Sequence, residues 1–344
     1  MKNTLSFLFL IAVSVAAQAA PSLPWSPLPD KVPTPANNPT TKEKVHLGKQ
    51  LYFDPRISVD GTVSCNSCHN VMSNGTDNRP FSLGVGAKAG GRSAPTVWNS
   101  AFHTVQFWDG RAATLEDQAV GPMTNPIEMG MPSHDVVISR ISQIPGYVEG
   151  FKKAFKADAN PVNISNAAKA IAAYERTLIT RNSPFDKYMK GNKKAISAQA
   201  EKGMRTVMEL GCITCHRGPN FNGDGLELGV GFYQKFPLIP DDVYTPKYKF
   251  TDDKGRGGVT KNEEDDHFWR VPTWRNVALT APYFHNGSVA TLEEAVRVMA
   301  KVQLGKNITD EQVKDIVAFL NTLSGEFPEQ TMPRLPETPG KSFF

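Results

Sequence analysis

The chemistry of this chain is concentrated in two short runs, Cys65-Asn66-Ser67-Cys68-His69 and Cys212-Ile213-Thr214-Cys215-His216, which use all four of its cysteines. Two thiols separated by two residues and followed at once by histidine form the attachment sequence of a c-type haem. Two thioethers tether the porphyrin, and the imidazole takes one axial position on iron. Two disulfides or a single zinc site using all the cysteines are the competing uses. A disulfide across two intervening residues is strained, and zinc does not require histidine at the same following position twice. The pattern predicts a redox protein with two covalently bound haem c groups, with His69 and His216 as iron ligands. Positions 69 and 216 are far enough apart for each haem to have its own domain.

An internal repeat shows where the remaining ligands and catalytic groups should be sought. Shifted by 177 residues, Pro95-Thr96 falls on Pro272-Thr273, Asn99 on Asn276, Phe107-x-Asp109-Gly110 on Phe284-x-Asn286-Gly287, and Thr114-Leu115-Glu116 on Thr291-Leu292-Glu293. The mismatches carry the information: Trp108 falls on His285, Gln118 on Ala295 and Pro122 on Met299. A low-spin electron-transfer haem needs a second axial ligand, and thioether ligation raises its potential. Met299 is the candidate ligand, with core filling as its bland alternative. The first half has Pro122 at that position, although Met123 follows it. Gln118 and Glu128 lie nearby. A carboxylate can take a proton from bound peroxide and return it to the leaving oxygen, and an amide can orient the peroxide. Solvent exposure of Glu128 and a capping role for Gln118 are the plainer readings. Trp108 is either core or an aromatic bridge between the haems.

Helices must hold these groups. Thr40 or Thr41 can cap a helix carrying Leu47 and Leu51, with Gly48 counting against it. Ile164, Ala168, Ile171 and Leu178 share one face of a helix over 163–178. Ser197–Leu210 leads into Cys212 as the first helix leads into Cys65. A helix from Thr291 carries Met299, and Thr309 with Gln312 makes a capping box for a final helix through Leu320. Alternating strand patterns are few, so the fold class is mainly α, with two cytochrome-c-like domains.

Met1 to Ala19 reads as an export leader, with the apolar run Leu5–Ala17 and an Ala17-Gln18-Ala19 cleavage site. The expected division is 1–19 signal peptide, 20–184 N-terminal haem domain with a Pro-rich surface arm, 185–330 C-terminal haem domain and 331–344 tail. The expected location is the periplasm. No later apolar run is long enough for a membrane span. A net charge of +4 and the lack of a basic stripe argue against nucleic acid as a partner.

From about Thr41 to Gly325 the chain resembles the bacterial di-haem cytochrome c peroxidase family. The resemblance rests on Cys-Asn-Ser-Cys-His-Asn at 65–70, Gln-Phe-Trp-Asp-Gly-Arg at 106–111, Asn-Val-Ala-Leu-Thr-Ala-Pro-Tyr-Phe-His at 276–285 and Gln303-Leu304-Gly305. It implies reduction of hydrogen peroxide to water at the N-terminal haem, with electrons from a small cytochrome c or cupredoxin entering at the C-terminal haem. By motif position it makes Gln118 and Glu128 the distal peroxide pair, Trp108 the residue between the haems and Met299 an axial ligand. It also implies a homodimer and a calcium ion held by the backbone carbonyls of Thr280 and Pro282. Ser93 stands where many members place an asparagine. Many members cap the resting peroxidatic iron with a histidine sixteen residues after the proximal one. Here that position is Val85, which cannot ligate iron, so an open first haem is expected unless Met72 or Met123 substitutes. The alternatives are a di-haem oxidase of a protein substrate, related to the enzyme that matures the methylamine dehydrogenase cofactor, and a plain electron carrier.

Overall fold

The computed structural model describes residues 23–223, 227–340 and 342–344; the expected leader lies outside them. The described chain is mainly helical. Its helices are α1 (Lys42–Phe53), α2 (Cys65–Cys68), α3 (Leu115–Thr124), α4 (His134–Ser142), α5 (Pro145–Ala154), α6 (Ile164–Glu175), α7 (Pro184–Met189), α8 (Ala198–Leu210), α9 (Tyr244–Lys247), α10 (Arg256–Thr260), α11 (Leu292–Leu304) and α12 (Asp310–Asn321). Among the described residues the only sheet is the antiparallel pair β1 (Tyr233–Lys235) and β2 (Phe268–Arg270), with Gln234 opposite Trp269. Helix starts follow side-chain chemistry. Thr41, Asn163, Ser197, Thr291 and Thr309 each accept an otherwise unpaired N–H of the first turn, and the Thr309–Gln312 capping box is formed. The helix expected over 163–178 stops at Glu175.

The architecture rests on two helix crossings, α1 on α6 and α8 on α12. Each has a glycine at the point of contact. A Cβ on Gly48 would stand 1.8 Å from the Ala170 carbonyl oxygen, and one on Gly203 would stand 1.8 Å from that of Asp315. Glycine inside a helix costs about 0.5–1 kcal/mol relative to alanine. Here that cost is offset by a backbone-to-backbone approach that no larger residue allows.

Two apolar clusters form around these crossings. One joins Leu47, Leu51, Tyr52, Trp98, Ile171 and Tyr174; the other joins Phe185, Val207, Phe221, Val298, Ile316 and Phe319. The chain ends cross over between them. The Pro-rich lead is not a surface arm throughout: Trp25 is buried in the second cluster against Phe185, Phe221 and Phe319. Its indole N–H donates to the His216 carbonyl at 2.6 Å, which explains how so large a ring is buried without an unpaired polar group. In return, the C-terminal segment packs Leu335 and Phe343 on the first cluster, where Arg56 donates to the Pro336 carbonyl.

The repeat recurs in backbone detail. Asn99 and Asn276 both take left-handed conformations (φ 64° and 60°), as do Phe107 and Phe284 (66° and 70°). The bridges Gln106–Ala112 and Tyr283–Val289 are equivalent. The two asparagines meet at the centre: Asn99 Nδ2 donates to Thr180 Oγ1 at 2.8 Å, and Asn276 Nδ2 reaches the same oxygen at 3.0 Å.

Gly48→Ala or Gly203→Ala should destabilise the fold by about 1–3 kcal/mol or more through overpacking, read as a lowered denaturation midpoint. The buried Glu175 carboxyl is pushed up to about 8 by desolvation, from an ordinary 4.5. The unfolded chain loses that proton near 4.5 and the folded chain keeps it until about 8, so this group lowers stability as pH rises across that window. Glu175→Gln should flatten that slope, and the gap in melting temperature between variant and wild type should widen from about pH 5 to about pH 8.

Candidate haem and peroxide sites

Each Cys-x-x-Cys-His run follows the first helix of a crossing pair, the first after a loop over 54–64 and the second at once. α1 leads to α2, which contains Cys65 and Cys68, and α8 ends at Gly211, whose left-handed backbone turns the chain into Cys212. The four cysteines are unpaired. Burial drives Cys65 up to about 12 and Cys212 up to about 11, and raises Cys68 and Cys215 as well. All four are therefore thiols near neutral pH, unlike the low-pKa thiolates of redox dithiols.

Both histidines are held as neutral imidazoles. His69 Nδ1 lies 2.9 Å from the Pro95 carbonyl, and His216 Nδ1 lies 2.9 Å from that of Phe221. A carbonyl partner puts the proton on Nδ1 and leaves the Nε2 lone pair for metal. Burial lowers both imidazoles, His216 to about 4, so neither competes for a proton at neutral pH. Tyr52 and Trp25 hold the backbone at these residues, donating to the carbonyls of His69 and His216. Trp274 stacks on the His216 ring at 4.2 Å between centroids.

A cavity of about 380 Å³ opens at the second motif and is lined by Cys212, Cys215, His216 and Met299. Met299 thus shares one cavity with the histidine. The cavity is largely apolar, with Phe236, Val271, Tyr283, Leu292 and Leu320 in its wall. Two thiols, a neutral imidazole, a methionine and an apolar cavity together fit a haem.

The same cavity extends to Trp108 and Ser93. Trp108 Nε1 donates to the Ser93 carbonyl at 2.8 Å, and Ser93 N–H donates to the His285 carbonyl at 2.8 Å. The repeat-equivalent residues Trp108 and His285 therefore meet on one serine. Trp108 packs against the second cluster although it lies in the first half of the sequence. Thr280 and Pro282 also line this wall. The carbonyls of Leu279 and Ala281, which alternate with theirs, are taken by the amides of Asn74 and Asn78.

At the first motif, Gln118 is half-buried on α3, one turn before Pro122. Glu128 lies in the loop after α3, near enough to raise Cys65 and Cys68 electrostatically. Its carboxyl is raised by burial and partly lowered again by Arg111. Glu128 is thus a half-buried acid within electrostatic reach of the motif. Arg111 was not singled out from the sequence. Its guanidinium lies 3.5 Å from the Phe107 ring centroid and pairs with Asp109 at 2.8 Å. Val85 is buried beside Met123 and Met129, and its N–H donates to the Glu128 carbonyl at 2.9 Å. Met72 is 49 % exposed, whereas Met123 is 1 % exposed and fills the core.

Residues 42–194 match the family model of the di-haem cytochrome c peroxidases. A cytochrome c551 peroxidase of Pseudomonas aeruginosa is 44 % identical over 334 residues, covering 96 % of this chain and 93 % of that protein. The chain belongs to the di-haem cytochrome c peroxidase family. The methylamine utilization protein MauG of Methylorubrum extorquens is 34 % identical, with 90 % of this chain and 86 % of that protein covered. A crystal structure of a MauG-like protein associated with microbial copper homeostasis aligns with a TM-score of 0.76 at 28 % identity, covering 87 % of this chain and 95 % of that one. This peroxidase is an oxidoreductase acting on hydrogen peroxide, and its family implies two haems. Among its described residues no helix is long and apolar enough to cross a membrane.

Arg111 opposes the burial of Glu128. Arg111→Met should therefore move the Glu128 titration to higher pH, seen as a shift in its carboxyl resonance or infrared band.

Proposed function

We propose that peroxide is reduced at the haem of Cys65, Cys68 and His69, with electrons entering at the haem of Cys212, Cys215, His216 and Met299. The observation that carries this reading is the inequality of two otherwise matching helices. α3 and α11 start at equivalent threonine caps, yet Met299 on α11 answers to Pro122 on α3. Met299 would then offer a thioether to the second haem iron, whereas the first motif has Pro122 at the matching position and Glu128 and Gln118 nearby. Bound haem supplies the iron at which peroxide is cleaved and through which electrons pass.

The protein's part is protonic and geometric. Glu128, desolvated but still titrating, takes the first peroxide proton and delivers it to the leaving oxygen. Gln118 orients the substrate by hydrogen bonding. Trp108, fixed by its Ser93 bond, lies between the sites as the electronic bridge. Val85 offers no ligand, Met72 is exposed and Met123 is packed in the first cluster, so the first haem would be open at rest. Calcium would take the free carbonyls of Thr280 and Pro282 and the Ser93 hydroxyl. These are oxygens of the right kind but uncharged and few, so water would complete the shell. The donor is a small cytochrome c or cupredoxin, and the enzyme works in the periplasm as a homodimer. Each haem occupies its own domain, 20–184 and 185–330. Oxidation of a protein substrate, suggested by the MauG likeness, is disfavoured by Met299 as the second ligand.

Glu128→Gln should lower kcat/KM for peroxide by about 10²–10⁴-fold. In the wild type the rate should fall as pH drops through the raised Glu128 value, because the protonated acid cannot accept the peroxide proton; the variant should lose that limb. EPR of the fully oxidised holoenzyme should show one high-spin and one low-spin ferric signal. Two low-spin signals would overturn the open first haem.

A further inference from the structure

We propose that Arg270, with His103 beside it, receives a propionate carboxylate of the haem at Cys212, Cys215 and His216. This rests on the haem reading above and goes beyond it. Arg270, at the end of β2, is 4 % exposed and lines the 380 Å³ cavity with His103. Its Nε donates to the Phe107 carbonyl at 3.1 Å and its Nη1 to the Val271 carbonyl at 3.4 Å. Nη2 has no hydrogen-bond partner among the described residues, and no carboxylate there lies within ion-pair distance of the group. His103 is likewise 4 % exposed, and its Nε2 is buried without a partner.

The neighbourhood cannot neutralise Arg270 by itself. Tyr233 and Asp109 act on it through space, but Asp109 is already paired with Arg92 and Arg111, and Asp253 with Arg92. Arg92 and Arg111 thus already hold both carboxylates, and Arg270 pairs with neither. A buried cation without a counter-ion is strongly unfavourable. Haem is the bulky apolar group this cavity suits, and it carries two carboxylates. One of them, placed against the planar guanidinium and accepting from His103 Nε2–H, would meet both unpaired donors.

Removing the positive charge should favour the oxidised haem. In the holoprotein, Arg270→Gln should make reduction of the Met299-ligated haem at least tenfold less favourable by spectroelectrochemistry, a fall of about 59 mV for one electron. Arg270→Lys should retain most of the wild-type potential. An unchanged midpoint in Arg270→Gln, with both haems attached, would overturn the assignment. If that variant does not accumulate, resonance Raman of Arg270→Lys and His103→Phe decides: the propionate bending mode of the second haem should shift, and an unmoved mode overturns the proposal. One haem per chain in the wild type, by pyridine haemochrome assay, would sink the haem reading itself.

Discussion

The close crossing of paired helices at Gly48 on Ala170 and Gly203 on Asp315 is the constraint on which the rest depends. With no side chain between the backbones, α1 and α6 meet at one fixed point, as do α8 and α12. The second Cys-x-x-Cys-His run follows directly from α8, and the first follows α1 after a short loop, so each crossing anchors the segment that carries the thiols and imidazole. The surrounding side chains then complete a desolvated setting. That setting raises the cysteines and lowers the histidines, which favours neutral thiols and imidazoles.

The two halves are held together by groups that the repeat places in register. Asn99 and Asn276, both left-handed, converge on one threonine hydroxyl; Trp108 and His285 converge on one serine backbone. Duplication thus produces a junction that is almost symmetric in its hydrogen bonds and unequal in its chemistry. The exchange of chain ends adds to this. Trp25 braces the second motif from the start of the described chain, and the Leu335–Phe343 segment covers the first cluster from the far end. Unfolding one half therefore removes packing from the other.

Buried charge is arranged with the same economy. Glu128 remains titratable because Arg111 partly offsets its desolvation, whereas Glu175 has its neighbour Arg176 as the opposing charge and still rises to about 8. The difference is one of depth, since Glu175 is fully enclosed. Arg270 is the reverse case, a cation lowered to about 10 by desolvation and left for a counter-ion from outside the chain.

Local chemistry was legible in the sequence. Two thiols and a histidine at fixed spacing point to a haem site wherever they fold, helix caps depend on a side chain three residues from the N–H it accepts, and the repeat set Met299 against Pro122. Long-range partners were not legible. Gly48 counted against its helix because the backbone it meets lies more than a hundred residues away, and Trp25 read as part of a surface arm because its acceptor, the His216 carbonyl, lies 191 residues on. Pro95 and Pro272 match in the repeat, yet His69 uses the Pro95 carbonyl while His216 uses that of Phe221. The burial of Glu128, the opposition of Arg111 and the unpaired state of Arg270 belong to the same class. Residue type and spacing decided which atoms could do chemistry; only the tertiary structure decided which of them lose water and what stands opposite, because desolvation and charge act through space.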